Sequence, residues 1–363
     1  MPAPAPLRVL IAGGGTGGHV IPALAIGKQL RDAHQAEVRY VGTARGIETR
    51  LVPEAGFHLD LIHVGQLKNV SLVTRLKTLA DLPLGILRCI SLLRSFKPHA
   101  VVGVGGYASG PAMIAAILLR IPTLAYEPNA VPGLANRIVG KRVRAAAVSF
   151  PATASYFRNA NVTGVPVRQA IFDIPALASD APPRLLITAG SQGAKVFNET
   201  LPQIAAQLLT AVPGLTILHQ AGPRHIDSTS AAYSATNADL PRIRVSAFIE
   251  DMPAEYASAT LVLARSGSTV AELAAAGKPS ILIPFPRAAD DHQTKNARVF
   301  ADAGAALLIP ESMLTPEYLL AELTALLTNP ARLAQMSTAA RSLARPNAVE
   351  AIANMVVNIA AKS

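Results

Sequence analysis

The stretch L-R-V-L-I-A-G-G-G-T-G-G-H-V-I-P-A-L-A-I, residues 7–26, decides the fold of this chain. Residues 7–12 are mostly apolar and predict a buried strand. Five glycines follow within residues 13–18, and the apolar spacing after them predicts a helix over residues 18–33. A strand, a glycine turn and a helix in this order predict the first unit of a parallel, doubly wound α/β sheet.

The same alternation of short apolar runs and helical periods continues along the chain. Further strands are predicted at 37–42, 59–64, 100–104, 122–126, 144–149, 184–189, 215–220, 242–247, 261–264, 280–284 and 306–309. Helices in the second half are predicted at 194–211, 269–276, 290–303 and 316–327. Prolines cluster near 166–183, which is typical of a linker. We predict a domain over 1–165, a linker over 166–183, a second Rossmann-like domain over 184–344, and a C-terminal helix within 345–363 that packs back on the first domain.

The charge of the chain is strongly uneven. The net charge is +10 over 363 residues, and all of it lies within residues 1–180. Residues 68–168 hold 13 basic and 2 acidic side chains. A basic balance indicates a polyanionic partner, such as nucleic acid, an anionic membrane surface or a phosphorylated ligand. Aromatic residues make up 4% of the chain and Trp is absent, which argues against single-stranded nucleic acid as the partner.

The cysteine count and the apolar runs indicate the cellular compartment of the protein. A single cysteine, Cys89, excludes a disulfide framework and a multi-cysteine zinc site, and it indicates a reducing compartment. The uncharged runs at 98–119 and 200–223 contain Gly and Pro residues, so neither predicts a membrane-spanning helix. We expect a cytoplasmic protein without a signal peptide, which can still lie on a membrane surface.

Two glycine turns are candidate phosphate sites. The first, G-G-G-T-G-G-H at 13–19, is compatible with a dinucleotide fingerprint, a phosphate cradle or only a tight turn. NAD binding is disfavoured because the second strand ends at Val41, Gly42 and Thr43 without an acid. His19 is either a base near a bound phosphate or a residue that holds the turn. The second turn, G-S-Q-G-A at 190–194, has the same place in the second half, so a ligand held between the two domains is expected.

Two later segments carry polar side chains of the second domain. In R-S-G-S-T-V-A-E, residues 265–272, Glu272 is suited either to a ribose or to the dipole of its helix. Asp290, Asp291 and His292 suggest a metal, but acids are preferred at a helix N-terminus and no D-x-D occurs. We therefore predict no metal site there and favour Gln293 as a sugar contact. The chain also lacks a G-x-S-x-G elbow and a Walker motif.

The segment 67–97 predicts a basic amphipathic helical region. Apolar residues recur at helical spacing and are interleaved with Lys68, Arg75, Lys77, Arg88, Arg94 and Lys97. Such a region is either a crossover helix with its apolar face on the sheet or a surface that binds an anionic membrane. The local excess of positive charge favours the membrane.

Taken together and in this order, these motifs resemble the bacterial MurG family of N-acetylglucosaminyltransferases over essentially the whole chain. The segments that carry the resemblance are 14–19, 105–111 (G-G-Y-x-S-G-P), 127–129 (E-P-N), 164–168 (G-V-P-V-R), 190–194, 248–252 (F-I-E-D-M), the R-S-G segment with Glu272, and 291–297 (D-H-Q-x-x-N-A). The resemblance implies the GT-B fold, with two Rossmann-like domains facing across a cleft. It also implies inverting transfer of GlcNAc from UDP-GlcNAc to the C4 hydroxyl of MurNAc in lipid I, which gives lipid II.

The resemblance implies roles for particular residues and partners. Donor contacts are expected from Thr16, Gly17, Gly18, Asn129, Arg168, Ser191, Ile249, Ser268, Thr269, Glu272 and Gln293. Among them, Ser191 is expected at the phosphates, the Ile249 backbone at uracil, Glu272 at the ribose and Gln293 at GlcNAc. His19 is the expected base and Glu127 its helper. No cofactor, metal or nucleic acid is implied. The expected location is the cytoplasmic face of the cell membrane, with lipid I, an anionic surface and a cell-wall or division complex as partners.

The chain departs from the family pattern at two places. It has Pro128 where E-Q-N is common, and its loop from Arg265 to Glu272 is one residue shorter than usual. Two alternatives stay open at this point. A UDP-GlcNAc 2-epimerase shares the two-domain plan, and a non-catalytic nucleotide-sugar binder would also keep the glycine turns. Neither alternative needs a lipid acceptor.

Overall fold

The structure is a computed structural model that describes residues 6–64, 72–178 and 181–362, with the backbone alone described at 72–80. The chain divides into two compact units. The first contains the residues up to Pro166 and those from Arg345 onward, and the second is Val167–Ala344. Residues 179–180 of the predicted linker lie outside the described residues.

The first unit is built on a parallel sheet. Its strands are β1 (Arg8–Ala12), β2 (Glu37–Gly42), β3 (His58–Leu61), β4 (Ala100–Gly103), β5 (Thr123–Glu127), β6 (Ala145–Val148) and β7 (Ala160–Val162). Its helices are α1 (Gly17–His34), α2 (Glu48–Glu54), α3 (Leu72–Phe96), α4 (Ser109–Leu118), α5 (Leu134–Val139) and the last helix of the chain, α14 (Ala348–Ala360). Within the described residues, seven strands pair in the order β3-β2-β1-β4-β5-β6-β7. Both faces of a parallel sheet are covered, and the central strands β4 and β6 accordingly contain only small or apolar residues.

Two layers of helices cover this sheet. Ile26 and Leu30 of α1 pack with Ile352 and Val356 of α14 on one face. Leu93 of α3 packs with residues of α4 on the other face. Each of these apolar side chains is at most 1% exposed, so truncation of one to Ala should cost about 2–5 kcal/mol of unfolding free energy. The last helix of the chain is therefore part of the first unit's core.

The second unit repeats the plan. Its strands are β8 (Arg184–Thr188), β9 (Thr216–Gln220), β10 (Ile243–Ser246), β11 (Leu261–Ala264), β12 (Ser280–Leu282) and β13 (Ala306–Leu308). Its helices are α6 (Gln169–Phe172), α7 (Lys195–Ala211), α8 (Ile226–Ser234), α9 (Met252–Ser258), α10 (Thr269–Ala276), α11 (His292–Asp302), α12 (Pro316–Leu327) and α13 (Pro330–Ser342). Within the described residues, the strands pair in parallel in the order β10-β9-β8-β11-β12-β13. Short 3₁₀ segments occur at Pro151–Tyr156, Leu240–Arg242, Ala289–Asp291 and Glu311–Met313.

The predicted class of fold, two doubly wound parallel-sheet α/β domains, is confirmed. Local differences have simple causes. Strand β7 was not predicted because Ala-Asn-Val at an exposed edge has no buried apolar pattern. The strand predicted at 59–64 lies at His58–Leu61. The short helix α6 falls inside the predicted linker and belongs to the second unit.

The start of α11 differs from the prediction. Asp290 and Asp291 were expected within the first turn of a helix over 290–303, but the helix begins at His292. Both acids have left-handed backbone conformations, with φ of 55° and 54°. The Asp291 carboxylate accepts a hydrogen bond from the Thr294 hydroxyl at 2.5 Å. Within the described residues, no three His, Cys, Asp or Glu side chains cluster as metal ligands would.

Candidate active site

The candidates in the first unit lie at the carboxyl ends of neighbouring strands. β1 leads through residues 13–16 into α1, and β4 leads through residues 104–108 into α4. The two strands pair directly, and their helices cover opposite faces of the sheet. Open α/β sheets bind ligands where successive connections diverge in this way.

The glycines of these two loops pack against each other. A Cβ built on Gly13 would lie 2.4 Å from the Gly105 carbonyl oxygen, and one on Gly106 would lie 2.3 Å from the Gly14 oxygen. Gly105 and Gly106 also have φ of +88° and +81°, where side chains are rarely accommodated. Close packing of the backbones thus explains much of both glycine motifs.

His19 lies between the two loops, in the first turn of α1. Its backbone N–H donates to the Thr16 carbonyl at 3.1 Å. A Cβ on Gly105 would lie 2.8 Å from His19 Cε1, so Gly105 leaves the space that the imidazole uses. His19, Gly17 and Gly18 are partly exposed and Thr16 is exposed. The structure therefore brings the predicted base and three predicted donor contacts to one accessible helix N-terminus.

Glu127 ends β5 and is almost fully buried. Its Oε1 accepts hydrogen bonds from the backbone N–H and the Nδ2 of Asn129 at 3.1 and 3.2 Å. Its Oε2 accepts from Gly133 N–H and Asn136 Nδ2, both at 3.0 Å. These bonds involve no N–H of residue 128, so Pro128 leaves them intact. Since β4 lies between β1 and β5, Glu127 and His19 follow strands that are not neighbours. This geometry favours Glu127 as the residue that positions Asn129.

A further acid, Glu48, was missed by the sequence reasoning. It begins α2, is 1% exposed, and its carboxylate accepts from the backbone N–H of Gly15 at 2.7 Å. The contact joins residues 33 positions apart. The sequence does place an acid shortly after the second strand. It was passed over because a dinucleotide site would need an acid at the end of that strand.

In the second unit, Ser191 lies in a loop shaped by paired glycines. A Cβ on Gly193 would lie 2.0 Å from the Ala221 oxygen, and one on Gly222 would lie 2.1 Å from the Gln192 oxygen. The loops after β8 and β9 therefore interlock as those of the first unit do. Gly190 has φ of +75° and meets nothing within 4 Å, and Ser191 is exposed. The accessible part of this loop is thus Gly190, Ser191 and Gln192.

Glu272 lies in the first turn of α10, beside a buried tyrosine. The Tyr256 hydroxyl donates to Glu272 Oε2 at 3.0 Å. Burial raises the pKa of the Glu272 carboxyl, while the Tyr256 hydrogen bond and the positive charge of Arg168 oppose that rise. No described residue donates to Glu272 Oε1. A carboxylate held at one oxygen and open at the other can accept hydroxyl groups, as a ribose contact requires. Tyr256 was not singled out from the sequence.

Gln293 is held by the loops around it. Its Oε1 accepts from the Phe285 N–H at 2.9 Å, and its backbone oxygen accepts from the Ser266 hydroxyl at 2.8 Å. The Gln293 Nε2 lies 3.8 Å from where a Gly267 Cβ would be. With its oxygen engaged, Gln293 presents its amide nitrogen as a donor. Arg265, which donates to the oxygens of Ile283 and Pro284, supports the same loop.

Three other predicted donor contacts lie on a loop or at a helix start of the second unit. Ser268 is exposed and Thr269 is partly exposed at the start of α10. Ile249 is 4% exposed between the exposed residues Phe248 and Glu250. Ile249 therefore anchors the loop after β10, and the exposed residues of this loop are its neighbours Phe248 and Glu250.

The basic amphipathic segment is described in part. Lys68 lies outside the described residues, and the side chains of Arg75 and Lys77 are not described. Farther along α3, Leu93 packs in the core, while Leu84 and Leu87 are 66% and 61% exposed. Leu84 and Arg88 line a groove of about 320 Å³. The helix thus serves as a crossover and also exposes leucines beside a cation. No helix within the described residues is both long and apolar enough to cross a membrane.

Two family descriptions match the chain. The glycosyltransferase family 28 N-terminal domain matches residues 9–148, and the family 28 C-terminal domain matches residues 184–352. The gap between the two matches runs from the end of β6 to the start of β8 and contains β7, the edge strand of the first sheet.

Individual proteins are similar over almost the whole length. The UDP-N-acetylglucosamine–N-acetylmuramyl-(pentapeptide) pyrophosphoryl-undecaprenol N-acetylglucosamine transferase of Syntrophotalea carbinolica is 42% identical, with 97% of this chain and 99% of that protein covered. The crystal structure of Acinetobacter baumannii MurG aligns with a TM-score of 0.81 and 34% identity, covering 97% and 100%. A UDP-GlcNAc 2-epimerase from Neisseria meningitidis, bound to UDP-GlcNAc, aligns with a TM-score of 0.65 and 16% identity, covering 97% and 100%. The last likeness shows the fold alone.

Proposed function

The chain belongs to the MurG family within glycosyltransferase family 28, and on this premise we propose that it transfers GlcNAc from UDP-GlcNAc to the C4 hydroxyl of MurNAc in lipid I. The product is lipid II, and the reaction belongs to peptidoglycan synthesis. The observation that carries this assignment is the near full-length similarity to the transferase of Syntrophotalea carbinolica.

The second unit is proposed to hold the donor. Glu272 Oε1 accepts hydroxyl groups of the ribose, while Tyr256 holds Oε2. Gln293 donates from Nε2 to an oxygen of GlcNAc, because its own oxygen is engaged by Phe285. Ser191, Ser268 and Thr269 contact the diphosphate, and the backbone of Ile249 contacts uracil. Arg168 supplies positive charge near Glu272.

The first unit is proposed to supply the base. The MurNAc C4 oxygen attacks the anomeric carbon of GlcNAc as the bond from that carbon to the diphosphate breaks, and UDP leaves. His19 takes the proton of the C4 hydroxyl, a contribution of about 10²–10⁴-fold for a positioned base. Glu127 acts by holding Asn129, and Thr16, Gly17, Gly18 and Asn129 complete the donor contacts. Developing charge on the diphosphate is stabilised by N–H groups of helix N-termini and by Arg168.

We further propose that the first unit binds the cytoplasmic face of an anionic membrane, where lipid I is held. Exposed Leu84 and Leu87 beside Arg88 support this surface. Leucines insert at the headgroup boundary, and basic residues are attracted by anionic lipids. The net charge of +10, all within residues 1–180, also supports binding of the membrane by the first unit.

Radiolabelled UDP-GlcNAc with a short-chain lipid I analogue tests the reaction. We expect label in a disaccharide lipid and release of UDP. An epimerase would instead convert the donor sugar without any acceptor, and a binder would return the donor unchanged. Either of these results, with UDP-GlcNAc still bound, would refute the transferase assignment.

A further inference from the structure

The interior of the first glycine loop is filled by a side chain of the protein itself. Glu48 Oε2 accepts from the Gly15 N–H at 2.7 Å. Its Oε1 accepts from the backbone N–H of Thr43 at 3.0 Å and from the Thr43 hydroxyl at 3.1 Å. With 1% of Glu48 exposed, these donors replace water around a buried carboxylate.

Three glycines leave the space for this carboxylate. A Cβ on Gly14 would lie 2.3 Å from Glu48 Oε1, one on Gly46 would lie 1.9 Å from Oε2, and one on Gly42 would lie 2.6 Å from Cγ. Gly14, Gly42 and Gly46 are not among the glycines with positive φ. At these positions the requirement for glycine comes from the room that Glu48 needs, and not from the backbone conformation.

This arrangement changes what the glycine loop can do. In a strand–glycine–helix turn, loop N–H groups are offered to a bound anion. Here the Gly15 N–H is already engaged by an anion that belongs to the protein. Gly15 directly precedes Thr16, whose carbonyl accepts the His19 N–H at 3.1 Å. The position of the carboxylate is thus coupled to the start of α1.

We propose that Glu48 is a positioning residue for the transfer reaction: its carboxylate acts as an internal anion that sets the first glycine loop and, through Thr16, the place of His19. The inference rests on the proposed function only in assigning His19 as the base. It also implies that the pyrophosphate of the acceptor does not take the Gly15 N–H.

Glu48→Gln tests this role in the full-length protein. Gln has the same side-chain shape as Glu. Whichever way its amide is turned, however, its NH₂ group faces the N–H of Gly15 or of Thr43, so two donors meet and one hydrogen bond is lost. The loop and His19 then shift, and misplacement on the scale of an ångström lowers turnover by about 10- to 100-fold. The KM for UDP-GlcNAc should change less than kcat, because Ser191, Glu272 and Gln293 of the second unit are untouched and only the proposed donor contacts at 16–18 shift with the loop. Glu54→Gln, at the exposed end of the same helix, is the matched control.

Histidine-labelled NMR supplies the second readout. The His19 ring resonances, assigned by their loss in His19→Ala, should move in Glu48→Gln and stay in Glu54→Gln. Wild-type kcat, or a fall in kcat with unmoved His19 resonances, overturns the proposal. If wild-type protein transfers no GlcNAc, the proposed function fails, and the NMR comparison still decides whether Glu48 positions His19.

A second variant covers the case in which Glu48→Gln does not fold. In Gly14→Ala the new methyl meets Glu48 first, so it should displace the carboxylate, lower kcat and move the same His19 resonances. A folded Gly14→Ala protein with wild-type kcat contradicts the proposal.

Discussion

The hydroxyl of Tyr256 donates a hydrogen bond of 3.0 Å to Glu272 Oε2, from a tyrosine that is fully buried. The pair joins α9 to the first turn of α10. It fixes one carboxylate oxygen and leaves the other for a ligand, at a carboxyl whose pKa is raised by burial.

Glu272→Gln should weaken donor binding and stabilise the empty protein at neutral pH. The folded state holds the proton of Glu272 more tightly than the unfolded state does, so stability is lost as pH rises through the raised pKa. Gln removes that loss while keeping an oxygen for Tyr256. We expect a higher Tm at pH 7.5, with the difference shrinking toward pH 5, in thermal melts without ligand.

The same variant should raise the Kd for UDP-GlcNAc by about 10- to 100-fold, because hydrogen bonds to charged groups are worth about 1.5–3 kcal/mol. Titration calorimetry measures this change. Glu199→Gln, an exposed acid on α7, is the control for the loss of one charge. A lower Tm at pH 7.5, or unaltered affinity, would contradict the role of Glu272.

His19→Ala should lower kcat by about 10²-fold or more, as expected on removal of a general base, with the Kd for UDP-GlcNAc largely kept. Single-turnover transfer and equilibrium binding separate the two effects. His34→Ala, at the other end of α1, is the matched control. Unchanged turnover in His19→Ala removes this residue from the chemistry.

Gly105→Ala should displace the His19 ring and abolish most activity. Its backbone has φ of +88°, and the new Cβ would lie 2.8 Å from His19 Cε1. Gly304→Ala, in the turn before β13, has a comparable φ of +76° but meets nothing within 4 Å. Each carries backbone strain of about 1–3 kcal/mol, measurable by denaturant unfolding. Only Gly105→Ala should also lower kcat strongly, because only its new methyl group meets the His19 ring. Equal kcat in the two variants would contradict this role of Gly105.

Replacing Leu84, Leu87 and Arg88 with Ser should weaken binding to anionic vesicles, and the remaining binding should be less sensitive to salt. These residues are exposed, so Tm should stay near that of the wild type. Leu240→Ser with Arg244→Ser, both exposed in the second unit, is the control pair. Vesicle co-sedimentation at two salt concentrations measures the effect. Unaltered binding would mean that α3 is only a crossover helix and not a membrane-binding surface.

Local patterns predicted the fold well. The apolar run before Gly13 and the helical spacing after His19 depend on neighbours in the chain, and the same holds for the turn at Gly190. Errors arose where local preference was overridden. Asp290 and Asp291 suit a helix N-terminus, yet the structure holds both in left-handed conformations before α11.

The sequence by itself determined that strands, glycine turns and helices alternate in two halves, because hydrophobic spacing and glycine act over a few residues. It also marked His19, Glu272 and Gln293 as candidates. Only the tertiary structure decided what each glycine and acid contacts. Glu48 reaches Gly15 across 33 residues, and Tyr256 reaches Glu272 across 16. Glu48 and Gly15 meet because the paired strands β1 and β2 bring the segments after them together. Tyr256 and Glu272 meet where α9 and α10 approach each other. No local pattern encodes which segments become neighbours in this way.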